Sequence, residues 1–223
     1  GYMLRYVETF MKAKEIIGSG VLGKPITFTS TVYVSQLFQR GKGWRYSKEK
    51  SGGGVIAAQA THLIDLLHWY FGSVSAVSGH TRSWYSAEVE DFAHAHLTFS
   101  SGLTGWLDST WSKRHYRLMQ VSIGINAENG SLLVNNDKVQ MFLDTAAGDY
   151  GAGWTNCFLP DLFTGVEIDL GGPEYTRQDR EFLTAVETGT VVENNIRSGY
   201  TVQRIVDAVY RSAEQAGAPV SLK

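Results

Sequence analysis

What most limits the fold of this chain is the stretch from residue 74 to residue 143, where six short segments of alternating apolar and polar residues follow one another closely. The segments 74–84, 92–99, 103–111, 118–125, 131–134 and 139–143 are rich in β-branched and aromatic residues. A side-chain period of two is that of a strand with one buried face. The connections Ser100-Ser101-Gly102 and Asn135-Asn136-Asp137 are short and built from turn formers, so neighbouring strands are expected to pair as antiparallel hairpins in a meander. In 92–99, Ala93, Ala95, Leu97 and Phe99 form one apolar face, and His94, His96 and Thr98 share the opposite face with Phe92.

Helical periodicity flanks this run on both sides. Phe10, Met11, Ala13, Ile16 and Ile17 predict a helix over 8–17 that stops at Gly18 and Gly20, and 25–33 then alternates as a half-buried strand. The polar, glycine-rich stretch 39–54 is a loop carrying Trp44 and Arg45. A second helix is predicted over 55–71, with Ile56, Leu63, Leu66, Leu67 and Tyr70 as its apolar stripe and Gly72 as its stop. Beyond the weakly patterned stretch 144–156 the sequence predicts a strand over 166–170. Pro173 then opens two helices, 174–187 and 198–216, the second with a stripe of Val202, Ile205, Val206, Val209 and Ala213. This order points to a single α+β domain over 1–223, an open and mainly antiparallel sheet with helices packed on one face. The uncovered face, with aromatic-bearing strands such as 103–111, invites face-to-face association into a homodimer or higher oligomer.

Charge and composition exclude several partners. Both signs are scattered along a chain of net charge −2, which leaves no footprint for nucleic acid or an anionic membrane surface; a small neutral partner fits better. No run approaches the ~18 apolar residues of a membrane span. Cys157 is the only cysteine, so no internal disulfide forms, and a reducing, cytoplasmic setting is expected. The opening Gly1 to Tyr6 carries no secretory signal and no initiator methionine.

The chemistry concentrates in Gly52-Gly53-Gly54-Val55-Ile56-Ala57-Ala58-Gln59-Ala60-Thr61-His62-Leu63-Ile64-Asp65. Glycines leading into a helix leave room for a ligand near the backbone, and a helix start offers unpaired N–H groups. Gln59 and His62 are i, i+3 neighbours, and Asp65 is placed to orient the His62 ring or to cap a neighbouring element. A histidine there suits hydrogen bonding to a sugar hydroxyl or proton transfer, and equally suits a satisfied place in the core. Trp44 and Arg45 suit stacking on a sugar ring and binding a hydroxyl or carboxylate, or else a surface loop anchored by a buried indole. His94 and His96 have ligand-like i, i+2 spacing but no third ligand in view, and no metal is expected.

The stretch G-G-G-V-x-x-x-Q-A-x-H-x-I-D-L-L-x-W, from Gly52 to Trp69, resembles the central motif of the Gfo/Idh/MocA oxidoreductases. Gly1 to Tyr6, Gly18 to Pro25, Gly43-Trp44-Arg45, Val89-Glu90-Asp91 and Tyr210 to Val220 resemble further parts of that family in the same order. The resemblance implies the carboxy-terminal half of an NAD- or NADP-dependent oxidoreductase of a sugar, sugar derivative or cyclic polyol. The Rossmann domain and its catalytic lysine would lie before residue 1, and the 223 residues alone would be inactive. It implies His62 as the catalytic residue, Gln59, Trp44, Arg45 and Asp65 as substrate contacts, and Gly53, Gly54 and Arg5 on the cofactor side, Arg5 alternatively in an interdomain salt bridge. Polyol dehydrogenases of the family often carry an aspartate four residues before the motif histidine, where this chain has Ala58. That departure keeps open a non-catalytic sugar-binding or dimerisation module. An NAD-dependent glycoside hydrolase of the same family is the third reading.

Overall fold

The computed structural model describes residues 1–222, and its architecture follows from where the apolar faces can be buried. A first turn, Met3–Tyr6, leads into helix α1 (Glu8–Ser19), strand β1 (Pro25–Tyr33) and a long loop containing the short turns Trp44–Tyr46 and α2 (Lys48–Ser51). A π-helical turn, Ile56–Ala60, opens helix α3 (Thr61–Phe71). The strands β2 (Val74–Arg82), β3 (Phe92–Phe99), β4 (Thr104–Thr110), β5 (Gln120–Ala127), β6 (Gly130–Asn135), β7 (Lys138–Leu143) and β8 (Gly153–Phe158) follow. Helices α4 (Leu159–Leu162), α5 (Pro173–Thr188) and α6 (Ile196–Glu214) and the short strand β9 (Val220–Ser221) complete the chain.

All nine strands of the described chain form one sheet in the order β8-β7-β6-β5-β1-β4-β3-β2-β9. The expected hairpins β2–β3, β3–β4, β5–β6 and β6–β7 are present with antiparallel register. The meander is broken once. β4 and β5 do not pair; β1 lies between them, antiparallel to β5 and parallel to β4, with Thr27 opposite Thr104 and Tyr33 opposite Thr110. The 111–119 connection is long enough to step over a strand, and it turns at His115, whose φ is +70°.

Phe28, Leu97, Leu107, Ile125, Leu132 and Met141 are buried on one face of the sheet, beneath α1, α3 and α6. The other face carries His94, His96 and Asp108 and the exposed Trp106, Leu133 and Trp154. A shallow groove between Thr29, Gly124, Leu133, Gln140 and Trp154 encloses about 290 Å³. In three further respects the observed fold departs from the sequence reading. Strand β8 begins inside the weakly patterned stretch and runs two residues past it; its aromatic residues Trp154 and Phe158 are exposed on an edge strand. Residues 166–170 form no strand; they are held instead by the Thr176 hydroxyl, which accepts from the Leu170 N–H and donates to the Ile168 carbonyl. Helix α5 does not cover the sheet. It buries only Thr176 and packs on the Met3–Tyr6 turn, where the Arg177 guanidinium donates to the Tyr6 carbonyl and to Glu8.

Candidate functional site

The site is built around the start of α3. Gly52 ends α2 in the left-handed region at φ +76°, a conformation that costs other residues dearly. The next two glycines are small for a different reason. A Cβ on Gly54 would lie 1.8 Å from the Glu90 carbonyl oxygen, and one on Gly53 would lie 2.0 Å from the Tyr210 hydroxyl. The room at both positions is therefore filled by this chain's own atoms. Neither glycine offers the open approach to a cofactor that the motif suggested.

The helix start is likewise internally satisfied. The Gly54 N–H donates to Glu90 Oε2, the Ile56 N–H and the Tyr210 hydroxyl donate to Glu90 Oε1, all at 2.9 Å, and the Val55 N–H donates to the Glu90 carbonyl. A buried carboxylate thus takes the N–H groups that would otherwise hold an anion. Burial, and then the neighbouring Glu90 charge, push the Tyr210 hydroxyl well above its ordinary pKa, which keeps it a donor. Asp91 works in the same way on the 83–91 loop, where its carboxylate accepts from the N–H groups of Trp84, Tyr85 and Ser86.

On α3 the three polar residues of the motif separate. Asp65 is fully buried and is held by Arg5, whose Nε and Nη2 donate to its two oxygens at 2.8 and 2.6 Å. Burial pushes the Asp65 carboxyl up and the guanidinium partly offsets this; the bidentate geometry is that of a charged pair. Asp65 therefore neither reaches a substrate nor orients His62. Arg5, tying the first turn to α3, is not free for a cofactor.

His62 and Gln59 lie on the other side. Nδ1 of His62 is closed off from solvent and has no partner among the described residues. No hydrogen bond to Nε2 is found among the described residues, and His62 as a whole is half-buried, so Nε2 is the ring nitrogen left for a ligand. Tyr2 stands edge-on to the ring at 5.7 Å, and its hydroxyl is 2.9 Å from Thr61 Oγ1. Burial lowers the His62 pKa, which favours a neutral imidazole at neutral pH. Gln59 donates to Gln36 Oε1 at 3.4 Å, while its own Oε1 is buried without a partner among the described residues. Both side chains project from the π-helical turn and the helical turn after it, and such turns recur at functional sites.

Trp44 and Arg45 are exposed on the loop beside this face, with the guanidinium 5.5 Å from the indole centroid. The loop is anchored not by Trp44, which is 61% exposed, but by Tyr46, which packs against Trp111 at 5.7 Å and against Gly41. His94 faces Asp108 across the open face at 3.1 Å. Among the described residues no cluster of His, Cys, Asp or Glu is arranged to hold a metal. The geometry adds Tyr2, Gln36, Glu90 and Tyr210 to the site. Each meets the motif across more than twenty residues of sequence, and no local pattern marks such encounters.

An open sheet backed by helices on one face, with a histidine on the leading turn of the central helix, makes this an α+β domain. The family model for the GFO/IDH/MocA C-terminal domain matches residues 10–133, more than half of the chain, and the chain belongs to that family. It is 23% identical over 245 residues to levoglucosan dehydrogenase of Pseudarthrobacter phenanthrenivorans, covering 90% of this chain and 60% of the relative. It is also 23% identical over 225 residues to scyllo-inositol 2-dehydrogenase (NAD(+)) of Bacillus subtilis, covering 94% and 63%. A levoglucosan dehydrogenase solved with NADH and L-sorbose superimposes with a TM-score of 0.87 at 21% identity, over 100% of this chain and 65% of that one. The chain thus spans about three-fifths of the length of these relatives.

Proposed function

We propose that this chain is the substrate-facing part of an NAD-dependent oxidoreductase that acts on a hydroxyl of a sugar, a sugar derivative or a cyclic polyol. The observation that carries the reading is His62, whose imidazole has no hydrogen-bond partner among the described residues and sits beside Gln59 at the start of α3, where the other motif residues are internally matched. Oxidising an alcohol removes a hydride from carbon and a proton from oxygen, and a nicotinamide supplies the hydride acceptor. His62 Nε2 holds the substrate hydroxyl and accepts its proton, for which a neutral imidazole is required. The Gln59 side chain lies beside it, held to Gln36. Trp44 and Arg45 border the sugar from the loop.

The residues present do not make a dinucleotide cradle. Arg5, Gly53 and Gly54 are taken up by Asp65, Tyr210 and Glu90, and no glycine-rich phosphate loop follows a strand in the described residues. The dinucleotide and the catalytic lysine then belong to a preceding Rossmann domain, in line with relatives of greater length, and the 223 residues alone do not turn over substrate. The open sheet face serves self-association, which its exposed Trp106 and Trp154 support. Among the described residues no helix is long and apolar enough to cross a membrane, and the cytoplasm is the proposed setting.

The exposed Ala58, and the lack of a carboxylate on the His62 ring, favour a second reading: a sugar-binding module without catalysis. One assay separates the two. The protein expressed from its complete reading frame is mixed with NAD⁺ and a panel including levoglucosan and scyllo-inositol, and absorbance is followed at the NADH band. Steady NADH formation with at least one sugar or polyol is expected. Sugar binding without NADH formation across the panel would establish the second reading.

A further inference from the structure

Cations scattered through the sequence are gathered at one end of the sheet. The 34–51 loop carries Arg40, Lys42, Arg45, Lys48 and Lys50, the 82–91 loop carries Arg82, and the 111–119 loop carries Lys113, Arg114 and Arg117. The loops are knit together. Ser35 and Tyr116 exchange hydrogen bonds, Gln36 and Leu37 donate to the Trp111 carbonyl, and the Lys48 N–H donates to Glu88. Phe38 lies 6.0 Å from Tyr85 and 4.8 Å below the Arg114 guanidinium.

These three loops hold nine cations and four carboxylates, a surplus of five positive charges in a chain of net charge −2, which leaves −7 for the rest. Two of the carboxylates, Glu90 and Asp91, are buried and occupied by N–H groups. All nine cations are exposed, and among the described residues none is in an ion pair. Trp44 and Trp84, 61% and 70% exposed, stand among them. The Gln36–Gln59 contact sets this crown beside the His62 face.

Unpaired like charges repel one another and are held together here only by the fold, an arrangement that favours a bound anion. We propose that the substrate is an anionic sugar bearing a carboxylate or phosphate group, held at that group by Arg45, Arg114 and their neighbours while a ring hydroxyl lies at His62. The inference rests on the oxidoreductase reading for the role of His62. Arginine forks match both anions, and the indoles supply a face for the ring. A polyanion such as nucleic acid fits less well, because it extends beyond the crown onto a surface carrying −7.

The test is calorimetric titration of the complete protein with D-glucuronate, D-glucose 6-phosphate and D-glucose at low and high salt. At least one anionic sugar binds ten-fold or more tighter than glucose at low salt, its advantage shrinks several-fold at high salt, and the double variant Arg45→Gln/Arg114→Gln removes it. Which anion binds better separates carboxylate from phosphate. Glucose binding as well as both anions, failure of both anions to bind, or an unaffected double variant overturns the proposal. So does a single-stranded DNA oligomer that binds and is not displaced by either anion. The two readings fail separately. Oxidation of levoglucosan alone with NAD⁺ removes the anionic preference and leaves the oxidoreductase; salt-sensitive glucuronate binding without NADH formation from any sugar does the reverse.

Discussion

The two sides of helix α3 treat their polar residues in opposite ways. On the side facing the first turn, Asp65 is fully buried and both its oxygens are matched by Arg5, while Glu90 matches the helix start from behind. On the side bearing Gln59 and His62, buried polar atoms are left without partners in the same chain. Such groups cost about 1–3 kcal/mol each when nothing answers them, and here they lie beside Nε2 of His62, the ring nitrogen left for a ligand. The motif residues thus divide into those that build the helix and those that meet a substrate, and spacing alone does not separate them.

The contrast can be broken first at Asp65. Replacing it with Ala leaves Arg5 buried and uncompensated, and urea unfolding should show a loss of about 3–5 kcal/mol. A loss under about 1 kcal/mol would mean that the pair is not structural. Gly54→Ala comes next, since its methyl would overlap the Glu90 carbonyl; a loss of about 3 kcal/mol is expected from the same measurement. Glu90→Gln keeps the shape but turns a donor towards the Gly54 or Ile56 N–H, and should cost about 1–3 kcal/mol. His62→Ala should change stability by less than about 1 kcal/mol, because it removes an unmatched group.

Acidity sharpens the same contrast. The His62 pKa in the folded chain lies below its ordinary 6.5, so the unfolded chain binds the proton more readily. Stability contributed by neutral His62 is present above about pH 6.5 and is lost as the pH falls towards the folded value. Urea midpoints measured from neutral to mildly acidic pH should decline less steeply in His62→Gln than in the parent, and parallel curves would contradict the assignment.

Much of the fold is legible in the sequence because its elements are amphipathic with a clear period. Helices α1, α3 and α6 lie where their apolar stripes predict, and the alternation of Ala93, Ala95, Leu97 and Phe99 gives the buried face of β3 correctly. Strand β8 escapes because an edge strand with outward aromatics lacks a buried face to read. The insertion of β1 escapes because parallel pairing with β4 joins segments distant in sequence. At the site, the motif locates the helix, while the roles of its residues depend on partners far along the chain. Asp65, three residues from His62, belongs instead to Arg5, sixty residues away. The glycines that suggest a ligand's approach make room for Tyr210 and Glu90. Charges that look scattered in sequence form a crown only once β1 has brought its loop beside the 111–119 loop.

The measurement that bears most directly on this division is the kcat/KM of His62→Ala in the complete protein, taken under conditions where its unfolding midpoint matches that of the parent. A loss of about a hundred-fold or more with folding intact is the predicted result. Turnover within two-fold of the parent would contradict it, and would return His62 to the structural side of the helix with Asp65.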